Sequence, residues 1–276
     1  MSRKEQLVLF DVDGTLSQPR QPIQKRILLA LHHLAKEAEI GFVTGSGMEY
    51  IKEQLWPALN DPVIRDNCHL LPCNGTEYIV PFGETFDDLG YKMISREIMR
   101  KKIGDESFYK VMHKICFLQN ELLQQNPYLP ATGHFVQNRQ SMLNWCPIGR
   151  NADIEQRAVF QTLDKTFKIR EKYLEELKSF ASTMNIDITI KLGGDTSFDI
   201  YPTGWDKTYA LTHFDEKKWD FWFIGDRCEE SGNDYELYEF LKPYRRAFKT
   251  TGPEETVDLI DWYILQDLRK RKETDE

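Results

Sequence analysis

The chain has 276 residues, with 36 Lys+Arg against 44 Asp+Glu and a formal net charge of −8 at pH 7. Hydrophobic residues make up 41% and aromatic residues 12%, which supports a sizeable core and excludes general disorder; the length fits one large domain or two modest ones. The acidic balance argues against broad binding to nucleic acid or to anionic membranes, whose surfaces the summed field repels.

Residues 6–10, QLVLF, form a short apolar run that stops at Asp11-Val12-Asp13-Gly14-Thr15, the pattern of a buried parallel strand ending in a loop. Ile27, Leu28, Leu31 and Leu34 at helical spacing predict a helix over 23–38, and 40–43 reads as a second strand ending at Thr44-Gly45-Ser46-Gly47. Strand, helix, strand implies a right-handed crossover in a parallel sheet. A helix is expected over 49–59, and 69–80 holds a strand and a turn at Asn74-Gly75. The middle of the chain changes character. Helical patterns near 96–125, extended structure over 135–147, one long helix over 154–184 and a strand over 186–192 describe an α+β insert rather than further crossovers.

From Trp219 the first pattern returns: DFWFIG is another apolar strand, ending in Asp226, Glu229, Glu230 and Ser231-Gly232-Asn233-Asp234. The expected architecture is α/β. A Rossmann-like core with a parallel sheet occupies 1–85 and 193–276, and an inserted α+β cap occupies 86–192. The last ten residues, DLRKRKETDE, read as a frayed, solvated terminus. No apolar run approaches the roughly 18 residues of a membrane span and the start MSRKEQ lacks a secretory leader's apolar stretch, which predicts a soluble, cytoplasmic protein with no membrane partner. Cys68, Cys73, Cys116, Cys146 and Cys228 include no CxxC pair, so neither a disulfide framework nor a thiolate zinc site is indicated. The six histidines show no ligand spacing and receive no catalytic role.

Asp11 and Asp13 sit two apart just beyond a buried strand, where residues in open α/β sheets face the ligand crevice. One carboxylate there can attack a phosphoryl group and form an aspartyl phosphate, while the second protonates the leaving oxygen and later activates the acceptor. A phosphate beside two carboxylates needs a hard divalent cation, and magnesium is the natural choice. Asp226, at the end of the later apolar strand, is the distant ligand, with Asn233 and Asp234 close behind. Residues 131–152 contain Arg139 and Arg150 and no Asp or Glu, a plausible seat for a phosphate. Ser197 and Asp199 alternate with Phe198 and Ile200, so both point to one face of an extended run.

These stretches carry a resemblance. DVDGTLSQPRQPI at 11–23, VTGSG at 43–47, RQSMLNWCPIGR at 139–150, GGDTSFDIYPTGWDK at 193–207 and GDRCEESGND at 225–234 resemble the haloacid dehalogenase superfamily, and within it the eukaryotic-type α-phosphomannomutases. The resemblance implies Asp11 as nucleophile, Asp13 as acid/base, and Mg2+ on Asp11, Asp226 and the backbone carbonyl of Asp13. It implies Ser46 as a hydrogen-bond donor to the transferring phosphoryl oxygen, with Thr44 the competing candidate, and Lys207 as the neutralising cation. Arg20, Arg139, Arg150 and Arg157 would grip the distal phosphate, and Ser197 and Asp199 would bind sugar hydroxyls.

The reaction implied is interconversion of mannose 6-phosphate and mannose 1-phosphate through a hexose bisphosphate, serving glycosylation, with closure of the cap excluding water. A magnesium-dependent sugar-phosphate phosphatase is the alternative. A homodimer through the cap is also implied. Three positions depart from the family pattern: Thr44 replaces a usual Gly, Asp195 stands where an amide or Met is common, and CEES precedes the Gly-Asn-Asp of the last motif. Asp195, beside Ser197 and Asp199, is expected to bear on which hexose phosphate is preferred.

Overall fold

The computed structural model describes residues 4–19, 21–82 and 90–275. It divides into two compact units, Met1–Arg96 with Asp206–Glu276, and Glu97–Trp205. In chain order the first unit opens with β1 (Glu5–Phe10), α1 (Lys25–Leu34), β2 (Glu39–Val43), α2 (Met48–Leu59), α3 (Pro62–Arg65), β3 (Cys68–Leu71), β4 (Glu77–Pro81) and β5 (Tyr91–Arg96). The second unit holds α4 (Met99–Ile103), α5 (Asp105–Gln125), β6 (Val136–Asn138), β7 (Leu143–Trp145), α6 (Ile154–Phe167), α7 (Ile169–Thr183), β8 (Ile188–Gly193) and β9 (Ser197–Pro202). The first unit resumes with a 3-10 turn (Lys207–His213), β10 (Trp219–Gly225), α8 (Tyr235–Leu241), β11 (Ala247–Lys249), α9 (Pro253–Leu259), a π turn (Ile260–Ile264) and α10 (Leu265–Asp275).

Among the described residues the first unit carries a seven-stranded sheet of order β11-β10-β1-β2-β3-β4-β5. The five strands from β11 to β3 are parallel, and β4 and β5 are antiparallel additions at one edge. Alternation along β1 sends Val8 and Phe10 into a cluster with Ile27, Leu31 and Leu34 of α1 and Ile260 and Ile264 of the π turn. Leu7 and Leu9 enter a second cluster with Phe221, Phe223, Leu237 and Leu241. Both faces of the sheet are therefore covered, and that is why the strands read as continuous apolar runs.

The second unit is a four-stranded sheet of order β6-β7-β9-β8, antiparallel throughout. One face is core: Trp145 stacks on Phe198 at 4.6 Å, meets Tyr173 of α7 edge-on at 5.9 Å, and donates its indole N–H to Gln119 of α5 at 2.6 Å.

Several boundaries differ from those read in the sequence. The units meet at Arg96/Glu97 and Trp205/Asp206 rather than at 85/86 and 192/193, because β5 pairs on β4 and β9 lies between β7 and β8. The helical pattern near 96–125 is two helices separated by Gly104 at φ +82°, and the long helix expected over 154–184 is broken at Lys168, at φ +55°. Arg170 reinforces that break, bonding Asp164 Oδ1 through its backbone N–H and Asp164 Oδ2 through Nε, both at 2.6 Å. The charged terminus is not frayed: α10 runs through it, with Leu265 and Leu268 buried against the first cluster.

Candidate active site

β1 and β10 are neighbours with Phe10 opposite Ile224, and the Asp11 N–H donates to the Ile224 carbonyl at 3.0 Å. The next residues along the two strands, Asp11 and Asp226, therefore emerge at one sheet end although most of the chain separates them. From β1 the chain builds outward through β2 and β3 on one side, while β10 and β11 lie on the other. Ligands of open α/β sheets bind at such a switch point, beyond the carboxyl ends of the strands. Gly14, at φ +84°, lets the loop after β1 pass against the second strand end: a methyl group on its α-carbon would stand 2.4 Å from Asp226 Oδ2.

Asp11, Asp226 and Asp234 each direct a carboxylate oxygen into one group, the three atoms within 4.8 Å of one another. The ammonium of Lys207, fully buried, bonds Asp11 Oδ1 and, at 2.5 Å, Asp234 Oδ1. Asp234, also fully buried, is held in turn by the Arg227 N–H on Oδ2 at 2.9 Å. Three carboxylates face the Lys207 ammonium and, 3.8 Å from Asp226 Oδ2, the Arg227 guanidinium, which leaves an excess of one negative charge in a largely buried space. Burial, reinforced by Asp234 and Asp226, pushes the Asp11 carboxyl well above its ordinary range in spite of Lys207. Burial and Asp234 likewise push Asp226 up to about 6. The Lys207 ammonium is held in its charged form by Asp11 and Asp234, which outweigh its own desolvation.

Asp226 Oδ1 is buried with no hydrogen-bond partner. That orphan oxygen, the all-carboxylate donor set and the uncompensated charge fit a divalent cation that prefers oxygen ligands. Asp234, read in sequence only as lying close behind Asp226, is the third member of the group. The Asp13 carboxylate is not part of it; its Oδ1 accepts from Gln54 Nε2 at 2.6 Å. Gln54 is buried on α2, and nothing in its sequence setting distinguished it.

Thr44 and Ser46 follow β2 on the same side of the sheet. The Ser46 N–H donates to Thr44 Oγ1 at 3.1 Å, so the threonine hydroxyl is engaged in shaping its own loop. The loop is braced from outside by the Cys73 N–H on the Ser46 carbonyl and the Asn74 N–H on the Thr44 carbonyl, at 2.9 and 2.8 Å.

In the second unit, Arg139, Arg150, Ser197 and Asp199 fall on or beside the sheet face that is not core. Asp199, Ser197 and Arg139 are buried. Arg139 Nη1 lies 3.9 Å from Asp199 Oδ1, and Arg150 Nη1 donates to Asn144 Oδ1 at 3.0 Å. Arg157, on α6, donates through Nη1 to Thr196 Oγ1 at 3.0 Å and through Nε to the Ala152 carbonyl at 3.1 Å. Arg20 lies outside the described residues. Asp195 is exposed in the turn between β8 and β9, where it lines a surface pocket with Lys165, Lys168 and Arg170.

A Rossmann-like core with an inserted α+β unit and this carboxylate–lysine site defines a protein of haloacid dehalogenase type. Two solved phosphatases share the fold: an N-terminally truncated IMP-nucleotidase of Plasmodium falciparum, with a TM-score of 0.64 and 15% identity over 93% of this chain and 69% of that one, and the C-terminal domain of a Candida albicans trehalose-6-phosphate phosphatase, with a TM-score of 0.55 and 14% identity over 93% and 91%. Residues 27–265 match the family model described as eukaryotic phosphomannomutase, and the chain belongs to that family. It is 36% identical to phosphomannomutase 1 of Mus musculus over 92% of this chain and 91% of the relative. It is 35% identical to the phosphomannomutase of Drosophila melanogaster, covering 94% and 96%, and 34% identical to that of Saccharomyces cerevisiae, covering 94% of each.

Proposed function

We infer that the chain is a phosphomannomutase that interconverts mannose 6-phosphate and mannose 1-phosphate through a phosphorylated Asp11 and a hexose bisphosphate. The observation that carries this reading is the buried group of Asp11, Asp226, Asp234 and Lys207 in a chain that matches the eukaryotic phosphomannomutase family along most of its length.

Lys207 occupies Asp11 Oδ1, so Asp11 Oδ2 is the attacking oxygen. It forms a bond to phosphorus of the bisphosphate as the phosphorus–oxygen bond to the sugar breaks, and Asp13 gives a proton to the departing sugar oxygen. In the second half-reaction Asp13 takes the proton from a hydroxyl of the bound monophosphate, whose oxygen displaces Asp11 from phosphorus. Gln54 holds the Asp13 carboxylate in place for both transfers. Ser46 donates to a phosphoryl oxygen, its loop shape maintained by Thr44. Asp11, Asp226 and the Asp13 carbonyl would hold Mg2+, with Asp234 beside them engaged by Lys207 and the Arg227 N–H, and the ion would supply neutralising positive charge to the phosphoryl group.

Arg139, Arg150 and Arg157 hold the phosphate that is not being transferred, with Arg20 a fourth contributor, and Ser197 and Asp199 bind sugar hydroxyls. The site residues and the assignment of the first unit to chemistry and the second to recognition are part of this proposal. So is a cytoplasmic location: the five cysteines are free, and no helix among the described residues is long and apolar enough to cross a membrane. The product, mannose 1-phosphate, would feed GDP-mannose synthesis. A homodimer through the second unit is part of the same proposal.

A product-resolved assay with mannose 1-phosphate, Mg2+ and trace hexose 1,6-bisphosphate tests the reading. Mannose 6-phosphate in step with substrate consumption is the expected result. Stoichiometric inorganic phosphate without mannose 6-phosphate would make the chain a phosphatase.

A further inference from the structure

The polar face of the second unit is organised as a row that crosses all four strands. Gln137 of β6 stands opposite Asn144 of β7, Asn144 opposite Asp199 of β9, and Asp199 opposite Lys191 of β8. Cross-strand partners share a face, so these side chains form one continuous band. At its centre is Asn144, which is 2% exposed. Its Nδ2 donates to Asp199 Oδ1 at 2.7 Å and to the Phe198 carbonyl at 3.3 Å, and its Oδ1 accepts from Arg150 Nη1 at 3.0 Å. These partners determine the amide's orientation, since the reverse would set an oxygen against a carboxylate and an NH2 against a guanidinium.

The neighbours are held in a similar way. Gln137 Oε1 accepts from Arg139 Nε at 3.1 Å. On the far side of Asp199, a methyl group on Gly193 would stand 2.5 Å from Asp199 Oδ2, so the carboxylate fills the space above that glycine. Asp199 already faces Arg139, whose Nη1 lies 3.9 Å from its Oδ1, and the half-buried Arg150, left to itself, would close on the same carboxylate as a forked pair that a substrate displaces with difficulty. Asn144 stands between Arg150 and Asp199 and satisfies each.

We propose that Asn144 is the positioning residue of the recognition face, a neutral spacer that stops Arg150 and Asp199 from pairing and presents guanidinium and carboxylate to a sugar phosphate at a preset separation. An amide of this size both donates to the carboxylate and accepts from the guanidinium; leucine does neither, and an ionised aspartate only accepts. The inference rests on the proposed sugar-phosphate substrate.

The test uses the full-length protein with Mg2+ and compares the parent with Asn144→Leu and Asn144→Asp. Asn144→Leu raises KM for mannose 1-phosphate about tenfold and lowers kcat by much less, about twofold. In Asn144→Asp the introduced carboxyl faces Asp199, Arg139, Arg150 and Lys191. When protonated its hydroxyl donates to Asp199 and its carbonyl accepts from Arg150, so this variant's KM approaches the parent's at pH 5.5 and rises above it by pH 8. A residue that merely stabilises the sheet gives no such recovery on acidification. Parent turnover together with an unchanged KM in Asn144→Leu, or a pH-independent KM ratio between Asn144→Asp and the parent, overturns the assignment of Asn144 alone. A parent that neither turns over nor binds mannose 1-phosphate in calorimetry overturns the proposed function and this inference with it.

Discussion

The two polar regions of this chain treat charge in opposite ways. At the ends of β1 and β10, Asp11, Asp226, Asp234 and Lys207 are packed together largely without solvent, and the carboxylates outnumber the ammonium. On the second unit's sheet, Gln137 and Asn144 stand beside Arg139 and Arg150 as uncharged spacers. The first arrangement carries an excess of carboxylate and shifts protonation equilibria; the second carries an excess of cations, Arg139, Arg150 and Lys191 around Asp199, and holds them in place through neutral amides. Chemistry calls for the former, since an excess of negative charge draws in a divalent ion. Recognition calls for the latter, because a preset guanidinium spends little of its binding energy on reorganisation.

The largest expected effect is at Lys207. Lys207→Met leaves Asp11 and Asp234 buried without their cation, a loss on the order of 3–5 kcal/mol of stability as well as loss of activity, measurable by denaturant unfolding. An effect below about 1 kcal/mol would show that the two regions do not differ in this way.

The next effect is linked to pH. Burial and Asp234 push the Asp226 carboxyl up to about 6, so the metal-free folded state keeps a proton there that the unfolded chain has lost, and its stability falls as pH rises from about 4 to about 6. A bound divalent cation favours the ionised form. The difference in melting temperature between samples with Mg2+ and with EDTA should therefore widen as pH rises through about 6 and vanish well below it. A difference independent of pH would remove Asp226 from the metal site.

Arg150→Gln probes the recognition face. Loss of a charged hydrogen bond to phosphate corresponds to about 1.5–3 kcal/mol, so KM for the hexose phosphate should rise about tenfold to a hundredfold. Hydrolysis of p-nitrophenyl phosphate, which has no second phosphate, should change far less; equal losses on both substrates would place Arg150 elsewhere in the mechanism. Smallest is Gln54→Leu, which removes one hydrogen bond from Asp13 and should lower kcat about tenfold with little change in KM.

The chemical site was more legible in the sequence than the recognition face, for physical reasons. A parallel strand buried on both faces is a dense apolar run, so β1 and β10 declare where they stop, and the carboxylates at those stops stand out. Asp234 was visible but its bond to Lys207 was not, because a turn of the chain decides which oxygen it presents. Gln54 and Asn144 carry no charge and sit within ordinary helix and strand patterns, so only the fold reveals their partners.

The limits of the units were obscured by β5 and β9, short strands whose sheet membership depends on pairing rather than on composition. The break at Lys168 had no local cue, since a lysine at positive φ is held there by Asp164 and Arg170. The terminal helix was hidden by its charge, although Leu265 and Leu268 at helical spacing were the clue to a buried side.

Borohydride trapping shows whether Asp11 carries the phosphoryl group during turnover. Reduction of an aspartyl phosphate converts that aspartate to homoserine, which mass spectrometry locates in the peptide that contains it. Protein turning over hexose 1,6-bisphosphate and mannose 1-phosphate with Mg2+ should yield homoserine at position 11 and nowhere else, and none when EDTA is present. Active turnover with position 11 unmodified, or with the label on another carboxylate, would contradict the account.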